Sequence, residues 1–205
     1  MKKYLASSKI IDWSHPEVVM KARGLANGCE DAAGIAKNCF KFVRDEIRHS
    51  LDFRLNPVTC RASDVLMHGT GYCYAKSHLL AALLRANGIP AGLCYQRLAL
   101  DDGRYCLHGL NAVFLSEYGW YRLDARGNKP GIFAEFNPPQ ESLPYPASGQ
   151  GEGMFADIFD LPLPSVVQVL ETCATYDMVR NNLPDIALPG RQSYGSRDTR
   201  MVVSG

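Results

Sequence analysis

Three residues of the chain, Cys73, His108 and Asp124, have the side chains needed for nucleophilic catalysis. Cys73 opens a predicted helix directly after Gly69 and Gly71, where unpaired backbone N–H groups and the helix dipole favour a thiolate. His108 lies inside a predicted strand and Asp124 in the following one, so the two side chains can meet across a hairpin. A thiolate needs an imidazole partner and the imidazole needs an orienting acceptor, so the three residues predict covalent catalysis.

Each of these residues also has a plainer interpretation, which the residue types alone leave open. Cys73 can be a small packing residue and His108 a core histidine with a satisfied ring. A zinc site made of Cys94, Cys106 and His108 is a rival use of the same residues, but no second close cysteine pair completes four ligands. The chain also contains no phosphate-binding glycine loop and no twelve-residue calcium loop.

The elements that must position these residues follow from the hydrophobic periodicity. Two amino-terminal helices are predicted, one capped by Ser14 and ending at Asn27-Gly28, the other over 31–49, followed by a helical turn at 63–66. The helix over 73–87 is apolar on most sides and ends at Gly88 and Pro90. Three strands joined by tight turns fill 91–126, which predicts an antiparallel sheet and an α+β fold.

The remainder of the chain is predicted to add surface structure and not a second domain. A proline- and glycine-rich coil covers 137–164, a last helix covers 165–181, and 190–205 is expected to be a mobile tail. One domain over 1–189 with a core at about 31–126 is therefore expected. Surface padding is the favoured role for the coil, with a lid as the alternative.

Three blocks of the sequence resemble the transglutaminase-like superfamily of papain-type thiol enzymes, particularly its small bacterial members. The first is Gly71-Tyr72-Cys73 with its helix through Leu83-Leu84-Arg85 to Gly88-Ile89-Pro90-Ala91; the others are His108 and Gly119-Trp120-Tyr121-Arg122-Leu123-Asp124. The resemblance implies a papain-like, transglutaminase-core fold, with a buried catalytic helix packed on the sheet. Leu110 and Ala125 depart from the family's usual aromatic residue and proline, a difference that affects substrate fit and not the catalytic atoms.

The activity implied by the resemblance is that of a cysteine-dependent hydrolase or acyltransferase on peptide or amide bonds. Cys73 would attack the carbonyl, His108 would shuttle the proton, and Asp124 would hold the imidazole. The Cys73 N–H would donate to the oxyanion, whereas Met67, six residues earlier, cannot supply the expected side-chain donor. Tyr72 and Tyr74 are candidate substrate-binding residues. Peptidase-like hydrolysis is favoured over glutamine γ-glutamyl transfer, and a non-catalytic binding module is the alternative from another class.

Composition narrows the partners and the compartment. The formal net charge is +1, which gives no general attraction to nucleic acid or to anionic membranes, so a peptide, protein or small amide substrate is expected. Neither a signal peptide nor a membrane span is recognisable, and the seven singly spaced cysteines suit a reducing compartment. A cytoplasmic enzyme without metal or cofactor is therefore expected; the oligomeric state does not follow from the sequence.

Overall fold

The computed structural model describes residues 1–189, and the predicted mobile tail at 190–205 lies outside the described residues. A short 3-10 turn (Lys2–Leu5) precedes the first helix. The helices are α1 (Pro16–Ala26), α2 (Ala32–Glu46), α3 (Ser50–Phe53), α4 (Ala62–His68), α5 (Cys73–Ala86), α6 (Pro164–Thr172) and α7 (Tyr176–Asn181). The strands are β1 (Arg48–His49), β2 (Thr70–Gly71), β3 (Ala91–Ala99), β4 (Tyr105–Leu115), β5 (Gly119–Leu123), β6 (Glu135–Asn137), β7 (Gln140–Ser142) and β8 (Gly153–Met154).

Helix α5 forms the centre of the fold, as its apolar circumference predicts. Every residue of α5 from Cys73 to Arg85 is buried, and the helix contacts α1, α2 and α4 as well as β3 and β4. Its four leucines have no solvent exposure, and burial of each stabilises the fold by about 1.5–3 kcal/mol. The amino terminus of α5, and with it Cys73, is therefore held in place by the whole core.

The main sheet is antiparallel, in the strand order β5-β4-β3-β8. Ala91 of β3 pairs with Val113 of β4, and Val113 pairs in turn with Tyr121 of β5. Together with the helices this confirms the predicted α+β class. The strand that carries His108 lies between two neighbours, with Asp124 directly after the end of β5.

The prediction of one helix over 31–49 is wrong at its carboxyl end. Asp31 caps α2 by accepting a hydrogen bond from the Gly34 N–H at 2.7 Å, but α2 ends at Glu46. The last carbonyl groups of a helix have no N–H partner within the helix. At this end of α2, the ammonium group of buried Lys76 donates a hydrogen bond to the Ile47 carbonyl. His49 then lies in β1, paired in parallel with Gly71. At α1 the cap is the His15 ring and not Ser14.

The carboxyl-terminal prediction of one helix over 165–181 is also wrong, because α6 and α7 are separate helices. Thr175 is the N-cap of α7, and its hydroxyl accepts a hydrogen bond from the Met178 N–H at 3.3 Å. The coil over 137–164 contains β7 and β8, and β8 extends the main sheet by pairing with Gln96 and Arg97 of β3. Within residues 1–189, every helix is too short or too polar to cross a membrane.

Candidate active site

Cys73 is the first residue of α5, at the floor of a cavity. Its neighbour Tyr72 occupies the cap position without a side-chain hydrogen bond, so the first-turn N–H groups have no side-chain cap. The turn before it depends on two glycines, as predicted. Gly69 adopts φ +63°, and a Cβ on Gly71 would lie 3.1 Å from the Ala75 Cβ. Cys73 is 7% exposed, and it lines the cavity.

His108 and Asp124 form a buried hydrogen-bonded pair. The His108 Nε2 lies 2.5 Å from the Asp124 Oδ2, and the other carboxylate oxygen accepts from the Arg126 N–H at 2.8 Å. The carboxylate is thus held from two directions, and the ring nitrogen Nδ1 is not engaged by Asp124. Cys73 and His108 line the same cavity.

The surroundings of His108 favour its charged form. Burial lowers its pKa, but the charge of Asp124, the proximity of Cys73 and the hydrogen bond to Asp124 outweigh burial and raise the pKa from 6.5 to about 10. The ring therefore favours the imidazolium form at neutral pH, paired with the Asp124 carboxylate. This protonation state suits a group that first stabilises a thiolate and then donates a proton to a leaving group.

Gly109 brings the helix to the histidine strand. A Cβ at this position would lie 3.0 Å from the Tyr74 Cδ1 and 3.1 Å from the Tyr74 Cα. The first turn of α5 therefore packs on bare backbone beside His108, and the Tyr74 hydroxyl donates to the Leu107 carbonyl. These contacts set the separation between the helix that carries the thiol and the strand that carries the imidazole.

The cavity over the thiol has a volume of about 360 Å³ and mainly apolar walls. Tyr72 and Tyr74, the predicted substrate-binding residues, both line it, but both are almost fully buried. Their hydroxyls are committed to the main chain, that of Tyr72 to the Tyr176 carbonyl at 2.6 Å. They can therefore contact a substrate only through ring atoms.

Residues 143–154 of the predicted surface coil, here named the roof segment, cover one side of this cavity. Tyr145 packs edge-on against the His108 ring with 4.8 Å between ring centroids, and the Gln96 amide donates to the Tyr145 carbonyl at 3.0 Å. Pro146, Ala147 and Glu152 also line the cavity. This part of the coil is therefore wall of the site and not padding.

Sequence reasoning missed three polar residues of the site: His49, Arg126 and Tyr145. The helical pattern over 31–49 includes His49, whereas the structure places His49 in β1, paired with Gly71. Arg126 follows Asp124 by two residues, and its guanidinium donates to the Asp52 carboxylate at 2.7 Å. Met67, by contrast, is 69% exposed and plays no part in the cavity.

The zinc alternative is not supported by the arrangement of its residues. Cys106 lines the same cavity as Cys73 and His108, whereas Cys94 is buried in a separate cluster with Leu110 and Ala112. Within the described part of the chain, no group of three or more histidine, cysteine or acidic residues could hold a metal ion. The seven cysteines are free thiols.

The fold and the site define a class of α+β protein, with a cysteine at a buried helix amino terminus beside a strand histidine and a carboxylate. Residues 19–125, more than half of the chain, match the transglutaminase-like superfamily, and the chain belongs to that superfamily. No curated protein matches the chain.

Several solved structures show partial similarity to the chain. A candidate cysteine protease from Cytophaga hutchinsonii is 17% identical, with 76% of this chain and 50% of that one covered and a TM-score of 0.49. The periplasmic domain of TgpA from Pseudomonas aeruginosa is 22% identical over 60% of this chain and 45% of that one, with a TM-score of 0.45. A candidate protease from Parabacteroides distasonis is 12% identical, with 79% of this chain and 30% of that one covered and a TM-score of 0.45. The chain thus spans half or less of the length of these proteins.

Proposed function

We propose that the chain is a cysteine-dependent hydrolase or acyltransferase that acts on peptide or amide bonds through a thioester on Cys73. The observation that carries the proposal is His108, which is hydrogen-bonded to Asp124 at 2.5 Å and lines one cavity with Cys73, the first residue of α5. A packing cysteine or a core histidine would not require this arrangement.

In the proposed mechanism, the Cys73 thiolate attacks the carbonyl carbon and the electron pair moves to the carbonyl oxygen. The free N–H groups at the amino terminus of α5 stabilise this oxyanion, a type of contact worth about 3 kcal/mol in other enzymes. Imidazolium His108 gives its proton to the leaving amine as the thioester forms. It then takes a proton from the attacking water or amine, while Asp124 keeps the ring oriented.

The cavity walls support a substrate with apolar groups next to the reacting carbonyl. Leu51, Leu98, Leu107 and Pro146 contribute these walls. Peptidase-like hydrolysis is the favoured outcome and glutamine γ-glutamyl transfer the alternative. They differ only in whether water or an amine reaches the thioester. A cytoplasmic location and a peptide or protein partner remain predictions.

The first test is alkylation by iodoacetamide at neutral pH, followed residue by residue with peptide mass spectrometry. Cys73 is expected to react well before the half-exposed Cys29 and Cys173, and His108→Ala is expected to abolish that advantage. His68→Ala, a change at an exposed histidine outside the cavity, is the matched control and should leave the rate unchanged. Equal labelling of the accessible cysteines would refute the proposal and favour a binding module.

The second test separates the two reactions. The protein is incubated with casein and a fluorescent primary amine, with the Cys73→Ala variant as the blank. Fragments without label indicate hydrolysis, and label without fragments indicates acyl transfer. Product that persists with Cys73→Ala would show that the reaction does not use this thiol.

A further inference from the structure

A second cavity lies beside the catalytic one, and no step of the proposed mechanism uses it. Its volume is about 430 Å³, and His49 and Arg126 line both cavities, so they form the shared wall. Its other charged lining residues are Arg44, Asp45, Arg48, Asp52, Lys76 and Lys129. A group bound there would be adjacent to a substrate whose carbonyl lies at Cys73.

The charge in this second cavity is unbalanced. Five lysine and arginine side chains line it against two carboxylates. Arg44 is fully paired, with Asp45 at 2.7 Å and with Glu135, outside the wall, at 3.0 Å. Asp52 alone serves both Arg126 and Lys129, each at 2.7 Å, which leaves one positive charge uncompensated in that trio. Lys76 and Arg48 have no carboxylate partner within the described residues.

Burial and the positive charges of the cavity together lower the pKa values of two buried groups, Lys76 and His49. Burial and then the charge of Arg126 lower the pKa of Lys76 to about 7, and burial followed by the same arginine lowers that of His49. The Nδ1 of His49, whose side chain is 7% exposed, has no hydrogen-bond partner and lies 3.7 Å from Asp52. A buried polar atom of this kind normally has a partner, and an anion in the cavity would both supply one and relieve the repulsion.

We propose that the second cavity is a substrate subsite that binds a carboxylate of the peptide whose carbonyl is attacked by Cys73, an inference that rests on the proposed function. Arg126 and Lys129 contact this carboxylate, with Arg48 at the rim and His49 as a further hydrogen-bond partner. The chain thus selects acyl donors that carry a negative charge close to the reacting bond. Asp52, which already occupies the wall, disfavours a dianion, so the site suits a carboxylate better than phosphate.

Alkylating probes test the subsite without requiring turnover. One matched pair is N-iodoacetyl-alanine and N-iodoacetyl-alaninamide, which tests a terminal α-carboxylate. The other is the α-amides of N-iodoacetyl-glutamate and N-iodoacetyl-glutamine, which test an acidic side chain. At low ionic strength, at least one acid is expected to label Cys73 about tenfold faster than its matched amide, because charge-assisted hydrogen bonds contribute such factors. The same ratio at Cys29 and Cys173 corrects for intrinsic reactivity.

Variants show whether the preference comes from the second cavity or from imidazolium His108, which attracts any anion. Lys129→Gln and Arg48→Gln change exposed side chains and are expected to fold, and each should reduce the acid-to-amide ratio several-fold. Arg23→Gln, at an exposed arginine of α1, is the matched control and should not change it. A ratio near one for both pairs, or a ratio unaffected by Lys129→Gln and Arg48→Gln, would overturn the subsite.

Failure of the proposed function has a different signature. In that case Cys73 would react no faster than Cys29 and Cys173 even with the neutral amides. The subsite is then decided by calorimetry on Cys73→Ala, where N-acetyl-alanine or N-acetyl-glutamate α-amide should bind and its neutral amide should not. If neither acid binds better than its amide, the subsite is overturned. Protection of Cys73 by inorganic phosphate that exceeds protection by acetate would also overturn it, in favour of a phosphate site.

Discussion

The close packing of Gly109 against the first turn of α5 gives the sharpest test of how the fold positions the thiol. In Gly109→Ala, the new methyl group would lie 3.0 Å from the Tyr74 Cδ1, 3.1 Å from its Cα and 3.3 Å from its N. Ordinary carbon contacts are about 3.5–4.0 Å, so the helix start and the strand must separate by about 0.5 Å. Two of the three clashing atoms are backbone, so a rotamer change cannot relieve the clash.

Two consequences of different size follow from this displacement. Overpacking of this kind costs about 1–3 kcal/mol in the free energy of unfolding. Since a misplacement of about 1 Å can cost about 100-fold in rate, half that distance should slow alkylation of Cys73 by about tenfold. The rate is measured with iodoacetamide and peptide mass spectrometry at a temperature where circular dichroism shows the variant to be folded.

Gly92→Ala is the matched control, because Gly92 is also a glycine of the central sheet. Its methyl group would clash with the Ile158 Cγ2, on the side of the coil and away from α5. We expect a loss of stability with an unchanged Cys73 rate. A wild-type rate in Gly109→Ala despite lost stability, or an equal loss of rate in Gly92→Ala, would refute the argument that this contact sets the geometry.

Two further predictions concern the dependence of stability on pH, measured by denaturant unfolding. The raised pKa of His108 gives a stabilisation that is complete below pH 6.5 and is lost as the pH rises through about 10. The free energy of unfolding of wild type should therefore exceed that of Asp124→Asn by less and less across this window, with a slope of at most about 1.4 kcal/mol per pH unit. A constant difference between the two proteins would contradict the pairing of His108 with Asp124. The lowered pKa of Lys76 has the opposite effect on stability, because the cost of burying its charge is complete below about pH 7 and disappears as the pH rises to 10.5. The free energy of unfolding of wild type should therefore rise relative to that of Lys76→Met over that range. Parallel pH curves for wild type and Lys76→Met would show that Lys76 is not buried as described.

The elements that carry Cys73, His108 and Asp124 could be predicted because their sequence signals are local. The apolar circumference of the helix after Cys73, its Gly88 stop and the turn residues between the strands each specify one element through short-range propensities. His108 and Asp124 lie near each other in space because consecutive antiparallel strands are neighbours. The resemblance to a known family then links Cys73, His108 and Asp124 in one predicted site.

The missed parts of the site depend on contacts between distant segments. The end of α2 is decided by the Lys76 ammonium, which comes from another helix, so the helical pattern alone extended too far. For the same reason His49 was not placed in the wall of the site. The position of Tyr145 over His108 depends on a hydrogen bond from Gln96, and no periodicity of a proline-rich coil indicates such a contact.

The roof segment and the reacting groups are attached to the protein in different ways. Cys73 and His108 belong to a fully packed helix and to a strand with a partner on each side, so they are displaced only when most of the fold opens. Residues 143–152 of the roof lie ahead of the β8 ladder and are tied to β3 and β4 mainly through single hydrogen bonds, among them Tyr105 to the Gln150 carbonyl at 2.9 Å and the Ala99 N–H to Glu152 at 2.8 Å. Local opening of these bonds is expected to cost less free energy than global unfolding. The cover of the cavity and the arrangement of Cys73 and His108 therefore belong to parts of the fold that differ in local stability.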